Sequence, residues 1–290
     1  MSKQFPRLEE FVYFVNERWS IHQKRLAGKP APWTKDPILL EYRFTNVRRE
    51  DDRVTKCIHE NWLQPHAEDY DTVVFAMALA RLVNLPASLE ALGYPSKWNP
   101  KRFVKLMEAR KKDGMATFTG AYMINAVGAT KGQSKASYLA DQVLGPLWNS
   151  RKLLGNLVRT GCELSTLQEA LMLHHGFGGG FMSAQVVADI KHLPSMKKAE
   201  DWMTFAMSGP GSRRGLNWLV GREPTARWNE EEWHATLLDL MKVAQPKLKC
   251  PVLDAQNLQN CLCEFSKYCK VKYNGGRAKQ KFRASGEAYN

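Results

Sequence analysis

A run of glycines at 176–180 lies between two apolar stretches of helical character, residues 164–173 and residues 186–193. A turn of this kind leaves backbone N–H groups unpaired, and the missing β-carbons let a polyanion come close. The positive end of the second helix dipole points at the same place, which suits a phosphate. The sequence therefore predicts two helices joined by a glycine turn that grips a DNA backbone. The predicted backbone contacts are Gly176, Gly178, Gly179 and Gly180.

The net charge of the chain limits the kinds of molecule that it is expected to bind. The 290 residues include 42 Lys and Arg against 29 Asp and Glu, which gives a net charge of +13 and a pI near 9.5. This excess favours nucleic acid, an anionic membrane or an acidic protein, and no basic amphipathic membrane helix is evident. Nucleic acid is therefore the leading partner, and a basic enzyme without a polyanionic partner is the alternative. Without a run of eighteen apolar residues or a signal-peptide core, we expect a soluble intracellular protein.

Helical periodicity dominates the chain and predicts a mainly α fold. Residues 38–47 are the one stretch expected to be extended. Residues 1–270 are predicted to form a helical catalytic unit, as one body or as two closely packed lobes. Residues 271–290 are basic and poor in apolar side chains, which indicates a tail that lies along phosphates or is simply solvated. Besides the pair around the glycines, helices are expected at 5–25, 69–85, 100–112, 135–158, 230–243 and 254–270.

The six cysteines do not form a metal-binding pattern. Cys261 and Cys263 are too close in sequence to chelate from one helix, because their side chains would point about 200° apart. The chain has neither paired C-x-x-C motifs nor a Cys/His quartet. We therefore expect reduced thiols and no metal.

A second candidate anion site follows the glycine run, where Ser208-Gly209-Pro210-Gly211 leads into Arg213 and Arg214. Open backbone beside two guanidinium groups could hold a DNA phosphate, a substrate phosphate or a carboxylate. A plain surface turn is the alternative.

Residues 43–53 hold four arginines, three acids and an asparagine. Arginine and asparagine can read base edges or clamp phosphate, and nearby carboxylates can hold the guanidinium planes in position. An exposed network of ion pairs, which would contribute little stability, is the alternative. The candidate substrate and phosphate ligands in this segment are Arg43, Asn46, Arg48 and Arg53, with Arg49 and Asp52 as candidate catalytic groups.

The predicted helix at 254–270 carries polar side chains on two faces. Asn257, Glu264 and Tyr268 share one face, while Asn260 and Lys267 lie on another. Buried polar groups need partners, which a substrate pocket would supply. An amphipathic surface helix is the alternative.

The glycine turn resembles the helix–hairpin–helix of DNA glycosylases, because residues 178–184 fit the Gly-x-Gly-x-x-Ser-Ala part of that motif. A competing register starts at Gly176 and needs an insertion afterwards. In those enzymes an active-site aspartate follows the turn by about twenty residues, and Asp201 stands at a comparable distance. A helix N-cap is the alternative role for Asp201.

Together these segments resemble the phage amino acid:DNA transferases, also called α-glutamyl/putrescinyl-thymine pyrophosphorylases. The resemblance is most specific in residues 33–37, 43–53 and 262–268 and covers most of the chain. It implies a glycosylase-like helical fold, double-stranded DNA with a modified thymine as partner, and the cytoplasm of an infected bacterium as location. It also implies replacement of the phosphate of 5-phosphomethyl-deoxyuridine by a free amino acid or polyamine, with glycine the first choice.

That chemistry would need cations on the leaving phosphate, a base for the amine, and a pocket for an everted base. Asp201 or Glu264 is the candidate base, and Lys267, Arg49 and Asp52 complete the catalytic set. The candidate phosphate and substrate ligands are Arg43, Asn46, Arg48, Arg53, Arg213, Arg214 and Asn260. A thiolate at Cys263 that adds to the pyrimidine ring is a further route.

Two other functions compete with this one. A DNA glycosylase for a modified pyrimidine would use the glycine turn and Asp201, and a non-enzymatic DNA-binding protein would need only the charge. The phage kinases that install the phosphate require a Gly-x-x-x-x-Gly-Lys-Ser/Thr loop, which this chain lacks, so the sequence argues against a kinase. No dinucleotide fingerprint occurs either, and we expect no bound cofactor.

Overall fold

The computed structural model describes residues 5–119, 129–130, 132–276 and 281. These residues are mainly α-helical, as predicted, and the β-structure among them is one isolated bridge between Tyr42 and Lys281. None of the described helices is both long and apolar enough to cross a membrane. In chain order the helices are α1 (Leu8–Leu26), α2 (Pro37–Glu41), α3 (Arg53–Ile58), α4 (Tyr70–Val83), α5 (Pro86–Leu92), α6 (Pro100–Lys112), α7 (Lys135–Tyr138), α8 (Gly145–Asn149), α9 (Arg151–Thr160), α10 (Leu164–Met172), α11 (Phe181–Ile190), α12 (Pro210–Val220), α13 (Glu230–Ala244) and α14 (Ala255–Asn274).

The chain divides into two compact units. The first unit is formed by the chain up to Asp52 and from Met203 onwards, and the second by Arg53–Trp202. The division at 270 predicted from composition lies within α14, which continues to Asn274. Most of the predicted basic tail lies outside the described residues.

The first unit is built around α14. Phe265 of α14 lies in the core, and the centroid of its ring is 5.2 Å from that of Phe11 and 5.6 Å from that of Phe14, both on α1. Trp233 of α13 is fully buried in the same cluster. Aromatic pairs at these distances add to the free energy gained by burying apolar surface. The core therefore fixes α1 and α13 against α14.

Glycines allow α12 to pack unusually closely on α14. A Cβ on Gly215 would lie 2.0 Å from the carbonyl oxygen of Leu262, and one on Gly211 would lie 2.3 Å from Sγ of Cys263. The Gly209-Pro210-Gly211 segment, which the sequence suggested as an anion-binding turn, forms the start of α12, with Pro210 in its first turn, and anion binding there stays a prediction. The sequence did not predict this helix start because the glycines are there for tertiary packing: Gly211 and Gly215 are four residues apart, on the face that α12 presents to α14.

Residues 37–41 are helical, so the extended stretch predicted at 38–47 is wrong in its first half. The physical reason is Asp36, whose Oδ1 accepts hydrogen bonds from the backbone N–H groups of Ile38 and Leu39 and so caps α2. Its other oxygen, Oδ2, accepts hydrogen bonds from the hydroxyls of Tyr13 (3.2 Å) and Tyr268 (2.8 Å). Asp36 thereby ties α2 to both α1 and α14.

In the second unit, α4 and α11 are buried along most of their length. Between them, Arg81 of α4 forms a two-pronged ion pair with Asp189 of α11, and His59 Nε2 lies 3.0 Å from Asp189 Oδ1. All three side chains are buried. A charge buried this deeply is tolerated because it is paired and hydrogen-bonded.

The single helix predicted at 135–158 is broken into pieces. A π-helical turn at Leu139–Leu144 separates α7 from α8, and α8 carries Pro146 in its first turn. Because proline has no N–H to donate to the preceding turn, a continuous α-helix cannot pass through it without losing a hydrogen bond. The glycine run lies between α10 and α11, in the predicted order, while its identification with the glycosylase motif stays a prediction.

Candidate functional site

In the first unit, the segment 43–52 lies against α14 and is held there through its backbone. Glu264 accepts a hydrogen bond from Thr45 N (3.2 Å), and Lys267 donates one to the carbonyl oxygen of Arg43 (2.7 Å). Lys267 also pairs with Glu264 at 2.7 Å. Asn260 Nδ2 lies 3.3 Å from the hydroxyl of Thr45. The structure therefore brings these predicted site residues together, but their visible role is to hold this segment, which we call the arginine loop (residues 43–52).

A second set of contacts holds the far end of the arginine loop. Asn257 accepts a hydrogen bond from Arg49 N at 2.8 Å, and Asp52 accepts one from Asn46 N at 3.1 Å. Burial raises the pKa of Asp52 above its ordinary value, although Arg49 and Arg18 oppose the shift. Arg48 lies 3.8 Å from Glu50, and its side chain is partly exposed.

Arg18 of α1 anchors the middle of the arginine loop from the other side. Its Nη2 donates to the carbonyl oxygens of Thr45 (2.6 Å) and Asn46 (2.9 Å), and its guanidinium lies 4.9 Å from the ring of Phe14. Only 5% of Arg18 is exposed. An arginine this buried is stable because its donors are satisfied by carbonyl oxygens.

The arginine loop, residues 31–42 and α1 line a partly open cavity of about 240 Å³. Cationic, aromatic and small polar side chains all contribute to its wall. The cations are Arg18 and Arg25, separated by two turns of α1, with His22 between them. The lining residues are Arg18, Ile21, His22, Arg25, Ala31, Pro32, Trp33, Thr34, Leu39, Leu40, Tyr42, Phe44, Thr45 and Asn46.

The aromatic wall of the cavity is fixed by hydrogen bonds. Trp33 Nε1 donates to the carbonyl oxygen of Lys29 (2.6 Å), and Lys24 Nζ donates to the carbonyl oxygen of Trp33 (2.6 Å). The guanidinium of Arg25 lies 5.5 Å from the Trp33 ring, within range of a cation–π interaction. On the arginine loop, the centroid of the Phe44 ring lies 4.3 Å from Nζ of Lys267.

His22 lines the cavity with a carboxylate beside it. His22 Nε2 lies 3.6 Å from Asp51 Oδ2, and the two side chains are 9% and 18% exposed. Asp51 Oδ2 is buried and makes no hydrogen bond to any described residue.

Other predicted site residues are placed differently. Arg213 donates to Glu230 (2.8 Å) and to the hydroxyl of Ser208 (2.6 Å), so its guanidinium is engaged within the protein. Arg214 is exposed, as is Arg53, the first residue of the second unit. Their proposed phosphate contacts stay predictions.

Asp201 caps a helix in the second unit. Its two carboxylate oxygens accept hydrogen bonds from Leu164 N (2.8 Å) and Ser165 N (2.9 Å), in the first turn of α10. The sequence analysis gave helix capping as the alternative role for Asp201, and the capped helix is α10. A catalytic role for Asp201 stays a prediction.

The glycine run has the backbone that only glycine adopts easily. Gly176 and Gly180 have φ values of +87° and +76°, in the left-handed region. Phe177 is fully buried and anchors the turn, while Gly178 and Gly179 are exposed. Contact between this turn and a DNA backbone stays a prediction.

Burial raises the pKa of Cys263 to about 11, because the thiol packs where α14 meets α12. A thiol with this pKa is almost entirely protonated at neutral pH. This protonation disfavours the thiolate route, which stays untested. In the described part of the chain, no group of three or more His, Cys, Asp and Glu is placed to hold a metal ion.

Sequence reasoning missed the α1 side of the cavity. Arg18, His22 and Arg25 recur at i, i+4 and i+7, so they share one face of the helix. That spacing was visible in the sequence as a polar stripe on an amphipathic helix. Nothing local distinguishes such a stripe from an ordinary solvent-facing surface.

Comparison with known proteins points to one family. A family model described as "5-hmdU DNA kinase, helical domain" matches residues 6–277. A 5-hmdU DNA kinase of Bacillus phage SP10 is 26% identical over 283 residues, which cover 89% of this chain and 44% of that protein. The chain thus spans less than half the length of this curated relative. No solved structure matches it.

These matches overturn the predicted transfer of an amine, because the relative is named as a kinase, an enzyme that adds phosphate. Neither description supports glycosylase activity or a free amino acid as a partner. The missing phosphate-binding loop was wrongly taken to exclude this family. That loop bears on nucleotide binding, whereas the match is to a helical domain. The wider expectation of kinship with phage DNA-modification proteins is confirmed. Since the family model covers most of the sequence, the chain belongs to the 5-hmdU DNA kinase helical-domain family.

Proposed function

We propose that this chain binds phage DNA containing 5-hydroxymethyl-deoxyuridine (5-hmdU) and holds the modified base for phosphorylation. The observation that carries the proposal is the family match over residues 6–277, which includes every residue that lines the cavity. The net charge of +13 supports a polyanionic substrate.

The size of the cavity favours a single base. At about 240 Å³ it lies just below the range of roughly 300–1,000 Å³ that is typical of sites for larger ligands. A base inside a duplex is hidden by its neighbours, so an enzyme that modifies it usually rotates it out of the stack. We propose that the everted pyrimidine enters this cavity.

The side chains of the cavity wall suit such a base. Trp33, Phe44 and Tyr42 offer aromatic surface for stacking, which contributes about 1–3 kcal/mol for each stacked base in other nucleic-acid complexes. Arg25 is exposed at the cavity and can neutralise a phosphate next to the everted nucleotide.

The proposal assigns the DNA side of the reaction to this chain. Its 290 residues include no Gly-x-x-x-x-Gly-Lys-Ser/Thr loop, so we do not assign the triphosphate site to any of them. The hydroxymethyl oxygen would lose its proton to the medium and attack the terminal phosphorus of a nucleoside triphosphate, and the nucleoside diphosphate would leave.

Fluorescence anisotropy with two duplexes tests the proposal. The duplexes are identical except that one carries a single central 5-hmdU where the other carries thymine. We expect tighter binding to the 5-hmdU duplex, and a Trp33→Ala variant should lose most of this preference. Lys242→Ala is the matched control, since Lys242 lies on α13 outside the cavity and its side chain is 76% exposed.

A second measurement follows base eversion directly. A 2-aminopurine placed beside the target should brighten when the wild-type protein unstacks it, and should brighten less with Trp33→Ala. Equal affinity of the wild-type protein for the two duplexes, without a change in 2-aminopurine fluorescence, would contradict the proposal.

A further inference from the structure

The exposed face of α6, in the second unit, carries a row of lysines. Six of the 13 residues of α6 are Lys or Arg, and one is acidic. Lys101, Lys105 and Lys112 are exposed, whereas Phe103 and Met107 are buried. The apolar side of the helix therefore packs in the protein, and the opposite side presents cations to solvent.

The three lysines form a nearly straight row. With 3.6 residues per turn, Lys105 and Lys112 are rotated from Lys101 by only about 40° and 20° around the helix axis. At about 1.5 Å per residue, the row is about 17 Å long. Successive phosphates of one DNA strand are about 3.4 Å apart along the duplex axis. A row of this length can therefore meet several phosphates.

The charge of this row is not neutralised by the part of the chain that the structure describes. Lys101, Lys105 and Lys112 form no ion pair with a described residue. The acid of α6, Glu108, accepts a hydrogen bond from the hydroxyl of Ser134 at 2.8 Å. Several exposed cations elsewhere are, by contrast, held by carboxylates: Arg159 by Asp71 (3.2 Å), Lys242 by Asp239 (3.3 Å) and Lys247 by Glu9 (2.7 Å).

We propose that the row formed by Lys101, Lys105 and Lys112 binds the sugar-phosphate backbone of double-stranded DNA. This inference rests on the function proposed above for the identity of the polyanion. It adds a binding surface in the second unit, made of residues that do not line the cavity. Neither the family match nor the sequence motifs assign this surface.

The chemistry of the row favours a phosphate backbone over base edges. Like charges four residues apart, such as Lys101 and Lys105, repel each other on a helix, and a polyanion would relieve that repulsion. Neutralising phosphates also releases the counterions condensed on DNA, which drives binding. The helix has no Asn or Gln, and its aromatic residue, Phe103, is buried, so the row lacks groups that read bases. We therefore expect it to hold any duplex, with or without 5-hmdU.

The test is the salt dependence of binding, measured by fluorescence anisotropy with the thymine duplex. Lys101→Gln/Lys105→Gln/Lys112→Gln should reduce the slope of log Kd against log salt by about 2–3, because each lost phosphate contact removes about 0.9. The ratio of affinities for the 5-hmdU and thymine duplexes should stay within about twofold of wild type. Glutamine is a good helix former, so α6 should persist.

The matched control removes the same charge from other places. Arg159→Gln/Lys242→Gln/Lys247→Gln also deletes three positive charges, but from side chains that carboxylates of the protein already hold. Exposed ion pairs of this kind contribute little stability, so the control should fold. Its slope should differ from that of wild type by less than about one.

The outcomes separate the two proposals. A wild-type protein that binds both duplexes equally would overturn the function proposed above, whereas the contact of α6 would still be supported by a smaller slope in its triple variant. An unchanged slope in that variant, or an equal decrease in the control, would overturn the contact alone. If the triple variant fails to fold, unchanged slopes for Lys101→Gln, Lys105→Gln and Lys112→Gln separately would overturn it. Binding of polyglutamate that falls in the variant while DNA binding does not would instead assign the row to an acidic protein.

Discussion

Replacement of Gly215 by alanine tests whether close packing of α12 on α14 supports the cavity. The new Cβ would lie 2.0 Å from the carbonyl oxygen of Leu262 and 2.7 Å from its carbonyl carbon. These are backbone atoms, so rotation of a side chain cannot relieve the clash, and the two helices must separate.

The magnitude follows from two opposing effects. Overpacking of a close contact costs about 1–3 kcal/mol, and a clash with backbone belongs at the upper end of that range. Alanine recovers up to about 1 kcal/mol through its higher helix propensity. We therefore expect a net loss of about 2 kcal/mol, which lowers the melting temperature by about 4–8 °C.

Differential scanning fluorimetry measures this loss, and two variants calibrate it. Gly211→Ala clashes with the thiol of Cys263 at 2.3 Å, so Gly211→Ala/Cys263→Ala should recover most of its loss. Gly179→Ala, where nothing lies within 4 Å of the new Cβ, should leave the melting temperature nearly unchanged.

The same substitution should weaken binding of 5-hmdU DNA, because α14 carries Glu264 and Lys267, which hold the arginine loop at the cavity. A Gly215→Ala protein that melts within 1 °C of wild type, about the change expected for a few tenths of a kcal/mol, would refute the packing argument. Lost stability with unchanged DNA affinity would refute its link to the cavity.

Three further predictions concern single side chains. Asp201→Ala should lower the free energy of unfolding in urea by about 1–2 kcal/mol through loss of the α10 cap, and Asp201→Asn should lower it less. Equal stability of the wild-type protein and both variants would contradict the capping role. Asp52→Asn should raise the melting temperature near pH 7, since burial raises the Asp52 pKa and disfavours its charged form. The gain should shrink as the pH falls towards 3.8, because Asp52 in the folded wild-type protein takes up its proton above this ordinary value, and a gain that grew there would be inconsistent with this sign. Arg214→Ala should reduce the salt dependence of DNA binding by about one phosphate contact, whereas Arg213→Ala should not, because Glu230 holds that guanidinium; equal slopes for both variants would count against the contact.

Local signals in the sequence predicted much of the helical structure. The helix at Pro100–Lys112 starts after Asn99, whose side chain accepts a hydrogen bond from Arg102 N, and α13 and α14 start after Asn229 and Asp254 in the same way. Such caps act within three or four residues, so they can be read from sequence alone.

The parts that sequence reasoning missed depend on distant partners. The start of α12 looked like a turn because its glycines are explained only by α14, about fifty residues later. In the candidate site, Arg18 and Glu264 act on the backbone of Thr45 from opposite ends of the sequence. A contact between a side chain and the backbone carbonyl or amide of a distant residue leaves no pattern in the sequence around either residue.

The contacts that hold the arginine loop have a consequence for how this family could diversify. Arg18, Asn257, Glu264 and Lys267 all reach main-chain atoms of the loop. Its course is thus set largely from outside, and its partly exposed side chains, such as that of Arg48, contribute less to it. Evolution or a designer can therefore exchange those side chains to suit a different nucleobase while the frame beneath keeps its shape.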